Sequence, residues 1–343
     1  MKPHKKARLA AVIFSVMAVA GVSFFCAAIW RSGVTHASPA SELLSAVPSG
    51  APTLVYIDLA ELRGSSFYQH RPDHGPIAIP NSDYANFVQN TGFDFEKDLD
   101  RVLIASWPQS NGLAKKTMAF ADGRFDRQKI RDYATKNGKI EKQSGRDVFL
   151  FQAKGKPGWN SLTFLDDHRI ALLEGSSIDP LFAPRDAGAA DPARERAQRV
   201  DGAAMFIISQ VPAVPDNLGP GGPQSAQFAG LLRSLRWVTM AAQPDGDLLR
   251  VSLEGECKTP ADARQMQSAL EVLRMLGNAA LTDPKSSKSL DPETRAMLET
   301  LIKNADVSNS GERVRLRLEL GPEVLRWKQP FKSQAQQGTP QGQ

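Results

Sequence analysis

Two cysteines among 343 residues are too few for a disulfide framework, and Cys26 lies in a hydrophobic run that leaves Cys257 without an intrachain partner. A nucleophilic thiol needs an adjacent base and a depressed pKa. Cys257 instead reads as a small, half-buried strand residue. There are five histidines, two of them (His4 and His36) at or before the expected membrane exit, and no Gly-x-Ser-x-Gly elbow. The pattern therefore gives no support to hydrolase chemistry of the Ser-His-Asp kind. Gly219-Pro220-Gly221-Gly222-Pro223 cannot cradle phosphate, because proline lacks the N–H groups such loops supply.

Charge of one sign is scarce as well. The formal net charge is +5, but Lys2, Lys5, Lys6 and Arg8 stand at the extreme N-terminus and no acid occurs before Glu42. Setting those four aside leaves 38 basic against 37 acidic residues, a nearly neutral body. A nucleic-acid partner would demand a basic surplus that tracks phosphates, so nucleic-acid binding is not expected.

What is present begins with Leu9 to Trp30, which carries no charged residue. As a helix it reaches roughly 33 Å, enough for the bilayer core. The basic residues before it stay cytoplasmic by the positive-inside rule, which places the rest across the membrane. The run is longer than the usual signal-peptide core and is read as an uncleaved signal anchor. The alternative is cleavage near Thr35-His36-Ala37 or Cys26-Ala27-Ala28, giving a periplasmic or secreted product.

The body alternates strand and helix signals. After a tether with a short helix at Ser41–Val47, stopped by Pro48, strands are expected at residues 53–59, 101–107, 116–121, 139–143, 147–152, 161–165 and 169–174. Asp126 and Gly138 bound a helix with Ile130, Tyr133 and Ala134 on one face. Further strands are expected at 203–209, 235–242, 248–257 and 314–320. A long helix opens at Thr259-Pro260, with Ala263, Met266, Ala269, Leu270, Leu273 and Leu276 read as one core stripe, and another spans 292–304.

The two halves follow one order of strand, helix and hairpins, with Ser144-Gly145-Arg146 matched by Ser310-Gly311-Glu312. The expected fold class is α+β: an N-terminal transmembrane helix, then two similar antiparallel-sheet-plus-helix units related by internal duplication. The expected organisation is a cytoplasmic basic stub (1–8), a transmembrane signal anchor (9–30) and a tether (31–52). The first α+β unit (53–182), a linker (183–200), the second α+β unit (201–328) and a disordered Gln-rich tail (329–343) follow.

Three segments carry a resemblance: Ala46-Val47-Pro48-Ser49-Gly50-Ala51-Pro52 leading into a strand, Thr91 through Val102 (Thr-Gly-Phe-Asp-Phe-Glu-Lys-Asp-Leu-Asp-Arg-Val), and Gly123-Arg124-Phe125-Asp126 opening a helix. They resemble a group of uncharacterised exported, membrane-anchored bacterial proteins, over roughly residues 42–182. The resemblance implies export and fold, and no functional residue can be carried over from it.

Candidate sites are weak. Asp94, Glu96, Asp98 and Asp100 alternate like a calcium loop, but Leu99 and Ala105 stand where that loop needs Gly and Glu. They read as a charged turn. His70, Asp73 and His74 share a loop in which Pro72 prevents the helix that would align the rings. His168, beside Asp166 and Asp167, reads as a hairpin tip. Tyr56, Phe67, Tyr68, Trp107, Trp159, Trp237 and Trp327 could line an apolar groove, but aromatics near strands more often fill cores.

No catalytic, cofactor or metal residue is assigned, and no cofactor is expected. The functional expectation is a non-enzymatic binding or interaction module of the cell envelope, held at the inner membrane by residues 9–30 and meeting an envelope protein or an apolar ligand. The alternatives are a periplasmic carrier of an apolar small molecule and a hydrolase-type enzyme with an unrecognised site.

Overall fold

The computed structural model of the protein describes residues 39–70, 82–108, 115–152, 158–182, 191–211, 230–282 and 292–326. The chain opens with α1 (Pro39–Ala46), β1 (Thr53–Asp58), α2 (Leu59–Gly64), α3 (Ser66–Gln69), α4 (Ser82–Thr91) and α5 (Phe95–Asp98). Next come the hairpin β2 (Leu99–Pro108) and β3 (Lys115–Gly123), then α6 (Arg127–Asn137). Two hairpins follow, β4 (Lys139–Gln143) with β5 (Arg146–Gln152) and β6 (Trp159–Phe164) with β7 (Arg169–Glu174). The second half holds α7 (Pro192–Arg199), β8 (Met205–Gln210), β9 (Leu235–Asp245), β10 (Leu248–Cys257), α8 (Pro260–Thr282), α9 (Pro292–Asn304), β11 (Asp306–Ser310) and β12 (Arg313–Leu320).

Among the described residues, the twelve strands form one antiparallel sheet in the order β11-β12-β10-β9-β8-β1-β2-β3-β7-β6-β5-β4. The two halves therefore meet in a single sheet through β1 and β8, with Thr53 opposite Ser209 and Ile57 opposite Met205. The α+β class is shown. Among the described residues no helix is long and apolar enough to cross a membrane; the anchor expected at 9–30 lies outside them, as do Gly219 to Pro223 and the tail.

Local chemistry explains several elements. Asp126 accepts from the Lys129 amide at 3.0 Å and caps α6, and Gly138 ends it with its own N–H on the Ala134 carbonyl. Ser144 and Gly145 turn β4 into β5 with φ of 49° and 76°, the left-handed pair that a tight two-residue hairpin needs. The edge strand β4, Lys-Ile-Glu-Lys-Gln, carries charges that discourage further pairing.

Side chains alternate across the sheet into two cores. Ile57, Val102, Ile104 and Phe149 face one side, under α2, α3, α4, α6 and α9. Leu54, Tyr56, Leu103 and Phe206 face the other, under α1 and α7. The Tyr56 and Phe206 rings stack at 5.2 Å across the β1–β8 join. Helices thus pack on both faces of the sheet. Residues 39–47, placed by sequence in a tether, bury Ala40, Leu43, Leu44 and Val47 in the second core, and residues 192–199, placed in a linker, bury Ala193 and Ala197 there. The second segment is too polar overall to signal a core role, yet its two buried alanines share one helical face.

Cys257 is fully buried rather than half-buried, at an irregularity in the β9–β10 register. It packs with Ala263, Met266 and Val314 in a small third core beneath α8. Burial pushes its thiol pKa up, opposite to what an activated nucleophile requires.

Candidate interaction site

Two features of the second half stand apart from the packed cores, one on each side of the sheet. The first is α8. Thr259 accepts from the Asp262 amide at 3.1 Å at its start, and the helix runs 23 residues, about 35 Å. Its N-terminal half seats Ala263 and Met266 on the sheet, with Leu270 half-buried beside them. The stripe predicted from sequence does not continue inward. Each step of three residues falls about 60° short of a full turn, so from Ala263 through Leu273 and Leu276 the stripe winds off the packed face.

That face is continued by Gly277 and Leu281 instead. A Cβ on Gly277 would lie 2.8 Å from Ile302 Cδ1, which marks the close approach of α8 to α9. Leu281 is buried. The opposite arc carries Val272, Leu273, Met275, Leu276, Ala279 and Ala280, all exposed. Met275 and Leu276 are 63% and 60% exposed, values far from those of core residues. From Val272 to Leu281 the helix is therefore apolar on both sides, a pattern that ordinarily belongs to a fully covered helix. Between α8 and α9 lies an open groove of about 610 Å³, lined by Met275, Leu281 and Ile302 with Arg274, Glu299 and Lys303 at its rim.

The second feature is the other side of the same strands, a cleft of about 550 Å³ that α7 borders at one end. Cross-strand register sets Glu256 opposite Arg313, Glu254 opposite Arg315 and Ser252 opposite Arg317. Glu254 and Glu256 are buried at the base. Arg196 and Arg199 of α7 both bond Glu256, and Arg315 Nη2 donates to Glu254 Oε2 at 2.6 Å. Burial works to raise the Glu256 pKa, but the two guanidinium groups overcome it and hold the carboxyl below its ordinary value. Arg196 also lies over the Trp237 ring, 4.2 Å from its centre.

A comparison with protein-family models finds no match, and a comparison with curated proteins finds none. Among solved structures, crystal forms III and I of TP0453 share 13% and 12% identity with TM-scores of 0.44 and 0.43. They cover 82% and 85% of this chain, and 95% and 96% of theirs.

The residues singled out in the sequence have other employment. Asp94 caps α5 at the Glu96 amide (3.0 Å) and meets Lys97 Nζ at 2.7 Å, while Asp98 accepts from the Asp94 amide at 2.8 Å. Asp100 holds Arg63 at 2.7 Å and Arg124 at 3.1 Å. His70 meets Asp247 at 2.9 Å on the surface, whereas Asp73 and His74 lie outside the described residues. Asp166 accepts from the His168 amide at the hairpin tip. Tyr56, Phe67 and Trp237 are buried, Tyr68, Trp107 and Trp159 pack against the cores in part, and Trp327 lies outside the described residues.

Sequence reasoning missed both surfaces. The arginine row has a signal, the Arg-x-Arg-x-Arg alternation of β12, which reads as a half-exposed strand until the neighbouring strand adds its carboxylates. The outward arc of α8 has one too, in the second apolar set at Val272, Met275 and Ala279.

Proposed function

We propose that the protein is a non-enzymatic interaction module of the bacterial cell envelope, held at the inner membrane through residues 9–30 and docking a protein partner through the outward face of α8. The exposed arc from Val272 to Ala280 carries this reading. A helix that presents apolar residues on both sides leaves one side for something beyond the chain's own sheet. The filled cores on both sides of the sheet also favour a docking surface over an interior carrier site.

The strand order supports internal duplication. Each half starts at the centre of the sheet with β1 or β8, extends outward through a hairpin, inserts helix, and returns in a hairpin. The first half then carries β6 and β7 between its third strand and the β4–β5 hairpin, whereas β12 pairs directly with β10.

The test is a photo-crosslinking residue at Leu276 in the full-length chain, expressed in a bacterial host, with Gln265 on the same helix as control. A discrete protein adduct at Leu276, absent at Gln265 and lost on adding Leu273→Glu, is expected. Equal labelling at the two positions, or none at Leu276, overturns the proposal. A second reading, a carrier of an apolar small molecule after leader cleavage, draws on the groove between α8 and α9; a small lipophilic adduct in place of a protein would favour it.

A further inference from the structure

The cleft behind α8, on the opposite side of β9, β10 and β12, has features that ion pairing alone does not explain. Its lining holds five arginines, Arg199, Arg250, Arg313, Arg315 and Arg317, against the carboxylates of Asp201, Glu254 and Glu319. The two signs differ in depth. Glu254 is only 8% exposed and sits at the base, whereas the side chains of Arg250, Arg313, Arg315 and Arg317 are 42–59% exposed and stand above it. The opening therefore presents guanidinium N–H groups to solvent over a neutralised floor.

The outer arginines pair with exposed carboxylates: the Arg317 contact is long, whereas Asp245 holds Arg250 closely. Arg317 lies 3.8 Å from Asp306, and Arg250 lies 3.5 Å from Glu319 on one side while also meeting Asp245. Exposed pairs of this kind are worth little and exchange partners readily. A guanidinium has five donors, so even a paired arginine keeps N–H groups to offer. Along β12 the three arginines follow at every second residue, about 7 Å apart.

The floor supplies a separate observation. Thr239 lines the cleft, is 95% buried, and its Oγ1 has no hydrogen-bond partner among the described residues. A buried hydroxyl is ordinarily bonded. Glu254 stands directly opposite it on the next strand, and Ser252, opposite Ala241, lines the same cleft one pair further along.

We propose that this cleft binds a phosphate group. Arginine forks converge on it from β10, β12 and α7, and hydroxyls approach from below. That distribution suits a tetrahedral anion with several acceptor oxygens better than a planar carboxylate, which a single fork satisfies. The phosphate can arrive as a free ion or as the headgroup of an anionic lipid; the recognising chemistry is the same. The site lies on the far side of the sheet from α8 and stands independently of the docking reading.

The test uses the full chain in phosphatidylcholine nanodiscs, titrated separately with inorganic phosphate, pyrophosphate and dihexanoyl phosphatidic acid, and followed by calorimetry. Saturable binding of at least one probe, weakened about tenfold in Arg250→Gln/Arg317→Gln and in Thr239→Val, is expected. The first variant removes two exposed guanidinium groups. The second removes a hydroxyl that has no hydrogen-bond partner among the described residues, so both should fold and melt like the parent. Binding of the inorganic ions assigns a free phosphate ligand, and binding of phosphatidic acid alone assigns a lipid headgroup. No binding of any probe up to about 10 mM, or binding unchanged in both variants, overturns the proposal.

Discussion

Arg169 of β7 grips Asp122 of β3 with both arms, Nε to Oδ1 at 2.6 Å and Nη2 to Oδ2 at 2.9 Å. The pair is one rung of a charge ladder across four adjacent strands. Asp58, Arg101, Asp122 and Arg169 stand opposite one another in register, and Glu42 of α1 closes the line at 2.9 Å from Arg169. Its bond to Asp122 holds the Arg169 pKa above the ordinary arginine value, so the ion persists at any pH the fold survives.

Removing the middle carboxylate strands two partly buried cations. Asp122→Ala should cost about 2–3 kcal/mol, less than a fully isolated buried ion would, because Arg101 keeps Asp58 and Arg169 keeps Glu42. Glu42→Gln, on the exposed rung, should cost below about 1 kcal/mol. Urea unfolding monitored by tryptophan fluorescence compares the two. Equal midpoint shifts would show that the ladder has no buried centre.

Glu256 predicts a pH dependence. Its carboxyl is held below the ordinary value in the folded protein, so the ionised form stabilises the fold at neutral pH. That contribution is fully present above the unfolded carboxylate pKa of about 4.3 and is lost as pH falls through the lower, folded value. Asp147, lowered chiefly by its bond from Arg131, acts in the same direction. The stability gap between the parent and Glu256→Gln should therefore be widest near pH 7 and should narrow below about pH 4.3. Thermal melts from pH 3 to pH 7 measure it. A gap that stays constant across the series would remove Glu256 from the pH response.

Much of this architecture is legible where the signal is local. Asp126 and Gly138 bound α6, and Ile130, Tyr133 and Ala134 fall on its buried face as their spacing predicts. The turn at Ser144-Gly145 and the alternation of β12 are read within a few residues. Illegible features come from partners far apart in sequence. Pairing of β1 with β8 joins Thr53 to Ser209, and Glu256 finds Arg196 from sixty positions away. α8 failed for a different reason: periodicity shows which residues are apolar but not which side of a helix meets the sheet once both sides carry them.

Gly138 marks a place where backbone meets backbone. A Cβ there would lie 2.2 Å from the Leu150 carbonyl oxygen, so either α6 or β5 must move. Gly138→Ala should destabilise by about 3 kcal/mol. Gly64→Ala is the control, since nothing lies within 4 Å of its Cβ position and alanine favours the end of α2. It should be neutral or stabilising by up to about 1 kcal/mol. Chemical denaturation of both variants decides whether the close approach, rather than any glycine loss, sets the cost.

The outward arc of α8 separates stability from association. Leu273 and Leu276 bury little of their surface in the folded protein, so replacing both with serine should change unfolding stability by no more than about 0.5 kcal/mol each. Met266, seated in the third core beside Cys257, should cost about 2–3 kcal/mol as alanine. Binding should invert this order. A docking face concentrates its energy in large apolar side chains at its centre, so the serine pair should abolish partner capture while Met266→Ala, if folded, retains it. Denaturation midpoints, and the adduct yield from a photo-crosslinking residue moved to Met275 on the same arc, test both halves. If the serine pair unfolds the helix, the arc belongs to the fold and not to a partner.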